Sequence, residues 1–468
     1  MKNDVLLINP PWIIESKSNF WKNIGSCLPS LGIAYIASCL EKHGYAVSIL
    51  DCTAEKLGLF AIEKRLFDIQ SFPAFIGITS TTPLITHALK VAEICKKISP
   101  KTTIIFGGVH PTVLPDDVLS NACVDIVVRG EGEMTMLELV SGKAIETILG
   151  VSYKKDGRIV HNAERPLIAD INEIPPPAYH LLPMKKYFPA VGSYRQLPAM
   201  SIFATRGCPG RCTFCYRTFQ GKVRKRSPEN IFNEIKLLHR EYGIMEIAFY
   251  DDAFTAFHDT VTGLCDQLIK SKLNISWSCF TRVDLINEDM MRIMKKAGCH
   301  LILFGVESAD PTILKNIRKN IDLAKVIEMV KKARRVGINT RASFMLGNPG
   351  ENEETIRKTI DFAFKLDPDQ VHFNITTAYP GTELFCWAKD NGYLSDLDWS
   401  KYNMSELNLN LPTISQERLQ YYYNIVHKNF YMRPRIILRR LLQIRTYHQF
   451  MEEIKGFFGI LKVHHNKS

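Results

Sequence analysis

The feature that most restricts this chain is a repeated β-then-α period. Within residues 1–145, short apolar runs alternate with stretches whose apolar residues recur at helical spacing. Val5 to Ile8, Val47 to Leu50, Phe75 to Thr79, Thr103 to Phe106 and Asp125 to Val128 each read as one buried strand. Leu28 to His43, Leu84 to Ile98 and Glu133 to Val140 read as helices, the first stopped by Gly44. Such alternation predicts an α/β fold: an N-terminal doubly wound, Rossmann-like parallel sheet with helices on both faces.

Residues 146–195 break the period and read as a linker with a small hairpin around Asp156-Gly157. A second βα series fills residues 196–395. Its strand candidates are Met200 to Ala204, Ile244 to Tyr250, Ile275 to Phe280, His300 to Val306, Asn339 to Leu346 and Gln370 to Thr376. Six such units predict a partial (β/α)6 TIM barrel, with functional groups at the carboxyl ends of the strands. Residues 396–468 read as a helical, basic C-terminal extension.

Composition excludes several classes. With 46% apolar and 23% charged residues in 468, the chain is neither disordered nor a small disulfide scaffold. It has no apolar run of about 18 or more residues, and MKNDVLLINPPW does not read as a signal peptide. The expected compartment is cytoplasmic, where thiols stay reduced. The net charge is +11, of which the stretch from Arg433 to Ser468 holds eight Lys or Arg and two acids. The basic balance is thus local to the tail, and no nucleic-acid partner is expected.

Three of the twelve cysteines, Cys208, Cys212 and Cys215, form a C-x3-C-x2-C motif after the first strand of the second series. Thiolates are the usual ligands of iron–sulfur clusters, and three of them leave one iron of a four-iron cubane open. A structural zinc would want a fourth ligand, for which His239 is the candidate; three buried thiols are the bland alternative. The other nine cysteines show no such grouping.

The motif, placed after the first strand of a βα barrel, resembles the radical S-adenosylmethionine (radical SAM) superfamily. The first half, with Gly107-Gly108 and Arg129-Gly130-Glu131-Gly132-Glu133 at its strand ends, resembles the cobalamin-binding (B12-binding) domain fused ahead of the barrel in one branch. The resemblance implies a 4Fe-4S cluster, S-adenosyl-L-methionine (SAM) and cobalamin as cofactors. It implies reductive cleavage of SAM to a 5′-deoxyadenosyl radical, with methylation of an unactivated carbon as the expected outcome.

The roles it implies are as follows. Cys208, Cys212 and Cys215 hold the iron. Phe214, Asp251, Asp252, Glu307, Ser308, Gly347 and Tyr379 contact SAM. An exposed acidic turn at Asp251-Asp252, a rim salt bridge at Glu307 and simple packing of Tyr379 remain open beside those roles. Asn9, Ser80, Gly107, Gly108, His110, Gly130, Glu131 and Gly132 line the cobalamin site. The D-x-H-x-x-G motif of many cobalamin domains is absent, so a sheet that binds only substrate stays open. Arg282, at the end of the third barrel strand, is a candidate carboxylate clamp. The resemblance also implies a small-molecule or lipid-like substrate and an electron donor such as flavodoxin or ferredoxin. Ring formation, rearrangement or oxidation without methyl transfer is the first alternative; a non-catalytic sensor or carrier is the second.

The tail from Arg433 to Val463 reads as helical. Ile437, Leu438, Leu441, Leu442 and Ile444 oppose Arg435, Arg439, Arg440 and Gln443; after a break near Thr446, Phe450, Ile454, Phe457, Phe458 and Leu461 repeat at helical spacing. Two readings stand. Either the apolar side packs on the barrel and the arginines are solvated, or the tail makes peripheral contact with an anionic membrane surface.

Overall fold

A computed structural model describes residues 5–12, 25–395 and 397–444, with Phe450, Met451, Ile454 and Gly456. Its described residues divide into two compact units, the first of residues 5–12, 27–187 and 398–402 and the second of residues 25–26, 188–395, 397 and from 403 on.

The first unit contains strands β1 (Val5–Asn9), β2 (Val47–Asp51), β3 (Phe75–Thr79), β4 (Thr103–Gly107), β5 (Ile126–Val128), β6 (Val151–Lys155) and β7 (Arg158–His161). Its helices are α1 (Leu31–Lys42), α2 (Leu59–Phe67), α3 (Ile85–Ile98), α4 (Val109–Val113), α5 (Pro115–Leu119) and α6 (Glu133–Val140). The sheet order is β2-β1-β3-β4-β5-β6-β7. The first five strands are parallel, the doubly wound order whose switch point lies between β1 and β3. The Asp156-Gly157 hairpin does not stand apart as a connector: β6 pairs antiparallel with β5 and extends this sheet.

The central strands β1, β3, β4 and β5 are buried on both faces, which is why their runs are almost continuously apolar. In β1, Leu6 and Ile8 enter one core with Ile62, Leu66, Val91 and Phe106. Val5 and Leu7 enter the other with Ile33, Leu40, Met136 and Leu139. Burying each such side chain contributes about 1.5–3 kcal/mol, so alternation along one strand ties both helical layers to the sheet.

The second unit starts with β8 (Ala199–Ile202) and a two-strand ladder of β9 (Thr205–Arg206) with β10 (Arg224–Lys225). Strands β11 (Glu246–Phe249), β12 (Ser276–Thr281), β13 (Cys299–Glu307), β14 (Asn339–Leu346) and β15 (Gln370–Ile375) follow. The helices are α7 (Pro228–Tyr242), α8 (His258–Ser271), α9 (Glu288–Lys296), α10 (Pro311–Asn316), α11 (Leu323–Val336), α12 (Glu353–Leu366), α13 (Glu383–Asp390), α14 (Gln416–Tyr431) and α15 (Pro434–Gln443). Side-chain caps start many of them: Ser227 for α7, Asp310 for α10, Asp322 for α11 and an Asn352/Thr355 capping box for α12.

The six main strands are parallel and stand in chain order, β8-β11-β12-β13-β14-β15. This is the partial barrel expected from the six βα units. It is not closed by a β8–β15 ladder. On the outer side of β15 the backbone is satisfied by α14 instead: Tyr431 Oη accepts from Val371 N at 3.1 Å and donates to Val371 O at 2.8 Å. The His427 ring nitrogen Nε2 accepts from Phe373 N at 3.2 Å.

Helix α15 reverses the first reading of the tail, in which the apolar side packs and the arginines are solvated. In α15 the guanidinium side is the one that docks: Arg433, Arg435 and Arg439, with Arg334 of α11, all reach the Asp367 carboxylate. Ile436 is buried, while Leu438, Leu441 and Leu442 are exposed. Phe457, Phe458 and Leu461 lie outside the described residues, as does the break at Thr446. Among the described residues no helix is long and apolar enough to cross a membrane.

Candidate functional site

The cysteine loop leaves the barrel at the end of β8 and is closed at its base by the β9–β10 ladder, which pairs Arg206 with Arg224. The closure is tight at Gly207: with φ +108° it takes a left-handed conformation, and a Cβ there would collide with Lys222 O. Thr213 anchors the loop's middle, donating from its amide to Ile317 O at 3.1 Å and accepting from Leu384 N at 2.9 Å. Cys208 and Cys212 are half-buried and Cys215 is exposed; of the other nine cysteines all but Cys386 are buried. The two half-buried sulfurs flank Gly210, where a Cβ would stand 3.3 Å from Cys208 Sγ and 3.9 Å from Cys212 Sγ.

Two cations stand beside these thiols. Burial pushes the Cys212 thiol pKa up, and Lys319 and Arg282 pull it back down. Lys319 Nζ forms an ion pair with Glu307 Oε1 at 2.9 Å, both side chains nearly buried. Glu307 ends β13 at a bulge with φ +70°, an unusual backbone for a carboxylate residue and one that clusters at functional sites. Arg282 is not free to clamp a carboxylate ligand: it grips Asp284 through Nε–Oδ1 at 2.9 Å and Nη2–Oδ2 at 3.1 Å.

This donor set suits a cluster. It offers sulfur from three thiols, with positive charge nearby to offset thiolate charge. His239, the fourth ligand that the zinc alternative would need, holds Ile244 O through Nδ1 at 2.9 Å at the end of α7. Among the described residues, no three His, Cys, Asp or Glu side chains converge on a single-ion site.

A cavity of about 860 Å³ opens in this unit, lined by Asp251, Asp252, Thr281, Arg282, Glu307 and Lys319 and continuing along β14 and β15. Of the seven expected SAM contacts it gathers Asp251, Asp252 and Glu307. Asp252 is exposed to it, and burial raises its pKa. Asp251 is a brace rather than a free acceptor. It is 2% exposed, and its carboxylate accepts from Ala204 N at 3.0 Å, Thr205 Oγ1 at 2.6 Å and Thr205 N. It thereby fixes the backbone that enters the cysteine loop; burial, opposed by these bonds, moves its pKa up to about 6.

Phe214, Ser308, Gly347 and Tyr379 do not line the cavity. Ser308 is fully buried, with Oγ on Thr359 Oγ1 at 3.3 Å and accepting from Asp310 N at 3.2 Å. Gly347 faces α14, where a Cβ would meet Leu419 Cδ2 at 2.7 Å. Phe214 and Tyr379 are half-buried.

In the first unit the expected cobalamin residues divide in the same way. Asn9 donates from Nδ2 to Asp51 Oδ1 at 2.8 Å, and Tyr187 holds the other oxygen at 2.7 Å. His110 is fully buried, 3.2 Å from Thr82 Oγ1 and edge-on to Trp399, and burial lowers its pKa to about 4. Glu131 accepts from Ile168 N at 2.8 Å. Ser80 is buried and donates to Thr81 O. Gly108, at φ +95°, is a packing glycine: a Cβ would sit 2.6 Å from Ser80 O. Gly132 packs on Ile36. Gly107 and Gly130 are different. A Cβ at Gly107 finds its nearest atom at 3.9 Å, and one at Gly130 finds nothing within 4 Å. Bare backbone at the ends of two adjacent strands is a surface that a flat macrocycle fits.

Sequence reasoning missed Lys319, Arg341, Gln370 and His372 on the cavity wall. The last three had a signal. Asn339, Arg341, Ser343 and Gln370, His372, Asn374 occupy alternate positions in strands whose intervening residues are apolar or small, so one face of each strand is polar.

Comparison with known proteins agrees with this division. A Radical SAM superfamily model matches residues 202–363 and a B12 binding domain model matches residues 21–140. PH0819 of Pyrococcus horikoshii, described as an uncharacterized methyltransferase, is 37% identical over 98% of this chain and 98% of its own. The anaerobic magnesium-protoporphyrin IX monomethyl ester cyclase of Rubrivivax gelatinosus is 29% identical over 80% of this chain and 68% of its own. The cytidylyl-2-hydroxyethylphosphonate methyltransferase of Streptomyces wedmorensis is 28% identical over 86% and 84%. Among solved structures, the cobalamin-dependent SAM radical enzyme OxsB with aqua-cobalamin and SAM bound superposes with a TM-score of 0.74 at 18% identity, covering 97% of this chain and 72% of OxsB. With both family models in the expected order and full-length similarity to PH0819, the chain belongs to the radical SAM superfamily, in the branch that carries a B12-binding domain ahead of the barrel.

Proposed function

We propose that this protein methylates an unactivated carbon of a small-molecule or lipid-like biosynthetic intermediate. The observation that carries the reading is the barrel cavity, which places Asp252, Glu307 and Lys319 on one wall beside the cysteine loop. When bound, the cluster, SAM and cobalamin supply one-electron cleavage of SAM, hydrogen abstraction and a transferable methyl group.

The chain's own residues bind and orient. Cys208, Cys212 and Cys215 hold the cluster. Asp252 faces the cavity as an acceptor for an ammonium group. Glu307, fixed by Lys319, presents a second carboxylate oxygen for hydroxyl donors. Asp251 acts one step back, positioning the backbone of Ala204 and Thr205. Gly107 and Gly130 leave room for cobalamin against the strand ends. Leu303, Phe304 and Val371 exclude water from the cavity. An electron donor of the flavodoxin or ferredoxin type supplies the reducing electron.

The test is anaerobic turnover of the reconstituted enzyme with methyl-labelled SAM and extract metabolites. Methylation by this route gives 5′-deoxyadenosine and S-adenosylhomocysteine together, with label in a new product. The similarity to the cyclase supports a second reading, oxidation or ring formation without methyl transfer. Sustained 5′-deoxyadenosine without S-adenosylhomocysteine would establish that reading and sink the first.

A further inference from the structure

The cavity carries a second polar cluster that the cofactor roles do not use. Arg341, on the polar face of β14, lines it together with Gln370 and His372 of β15. Arg341 Nε donates to Gln370 Oε1 at 2.8 Å, and Nη2 donates to the same oxygen. Both bonds use one side of the guanidinium. Nη1 and the second Nη2 hydrogen have no acceptor among the described residues, and no carboxylate there pairs with Arg341. A second guanidinium, Arg440, lies on the same wall over the Tyr431 ring at 5.5 Å. A Cβ on Gly192 would lie 2.9 Å from Arg440 Nη2 and 3.3 Å from Gln370 Nε2, and that Nε2 donates to Gly192 O, so Arg440 stands near the amide that Arg341 holds.

Around this cluster the wall is apolar, with Leu303, Phe304, Val371 and Ile437. A guanidinium stays protonated even when it loses water, and an enclosed charge without a counter-ion is costly. Its natural complement is an oxyanion, which meets the planar fork with two parallel hydrogen bonds.

We propose that the substrate bears an oxyanion, a carboxylate or a phosphate, bound by the Nη1–Nη2 edge of Arg341, on an apolar body that fills the remaining cavity. The proposal rests on the reading of this cavity as the site of the methylation proposed above.

The test is calorimetric titration of the full-length reconstituted protein with dodecanoate, dodecyl phosphate, dodecanol and dodecyltrimethylammonium, each below its micelle concentration. One of the two anions should bind at one site per chain at least about tenfold more tightly than the alcohol, since a hydrogen bond to a charged group is worth that much or more. The cation should bind more weakly than the preferred anion, and a cation that binds as tightly overturns the proposal. Whichever anion wins distinguishes carboxylate from phosphate. Arg341→Met should abolish the preference. Gln370→Glu should do the same while keeping the guanidinium, because it supplies a carboxylate in place; this variant decides if Arg341→Met does not fold. Equal affinity for anion and alcohol, binding of neither, or an unchanged preference in a folded variant overturns the proposal. Failure of the methylation reading shows elsewhere: it is read from SAM products, which the titration does not require.

Discussion

At the scale of single residues, neighbouring side chains in one motif divide into those that hold the protein and those that face a ligand. Gly107 and Gly108 are the clearest case. Gly108→Ala puts a Cβ 2.6 Å from Ser80 O at a left-handed φ, so it should destabilise the first unit by about 1–3 kcal/mol, read as a lowered urea midpoint. A Cβ at Gly107 meets only Val128 O, at 3.9 Å, so Gly107→Phe should lower that midpoint less than Gly108→Ala does and abolish cobalamin binding in anaerobic titration. Cobalamin bound equally well by Gly107→Phe would remove β4 from the site. Sequence alone treats such pairs alike. It showed that Asp251 and Asp252 end a strand; it did not show that the amides of Ala204 and Thr205 had already claimed the first of them. The same holds for Asn9, His110, Glu131 and Ser308, whose partners lie from 2 to 51 positions away in the chain.

At the scale of elements the sequence was far more legible, because a buried parallel strand announces itself by a continuous apolar run. All six barrel strands stand where the runs placed them, and β14 has the expected bounds, Asn339–Leu346. Short helices were harder. Helices α4 and α5 are five residues each, too short to show a period. Helix α15 shows how charge patterning misleads. Its arginines read as a solvated face, yet those at 433, 435 and 439 meet Asp367, a partner from the loop after α12 that nothing local marks. Removing that carboxylate leaves four guanidiniums to repel one another. Asp367→Asn should therefore free α15, and limited trypsin digestion should cut after Arg435 or Arg439 several-fold faster than in the wild type. An unchanged digestion pattern would show that the remaining contacts, the burial of Ile436 and the bonds of Arg439 to Asp369 and Pro368 O among them, hold the helix without Asp367.

At the scale of the whole molecule, two compact units carry two separate chemistries, and variants should separate them. Replacing Cys208, Cys212 and Cys215 together with Ala should abolish iron–sulfur absorbance and SAM cleavage while cobalamin still binds; loss of both would show that the units depend on one another. Acid should act on both units through buried histidines. Burial lowers the pKa of His110 and His427 to about 4 and of His372 to about 3, so the unfolded chain binds protons that the fold refuses. Their stabilising effect is fully present above about pH 6.5 and is lost as pH falls toward 4, with a slope of up to about 1.4 kcal/mol per pH unit for each. His427→Gln should flatten that slope in urea unfolding followed at pH 4–7; an unaltered slope would mean that His427 titrates in the fold as it does in the unfolded chain. The position of His427 has a wider meaning. Together with Tyr431 it occupies the backbone groups of β15 that a closing strand would take. A helix does the hemming here, so the β15 edge is bare only when α14 is removed. A chain cut short before His427 would present β15 as a bare template for strand addition, and its fate would be intermolecular β-stacking and precipitation rather than a smaller soluble enzyme.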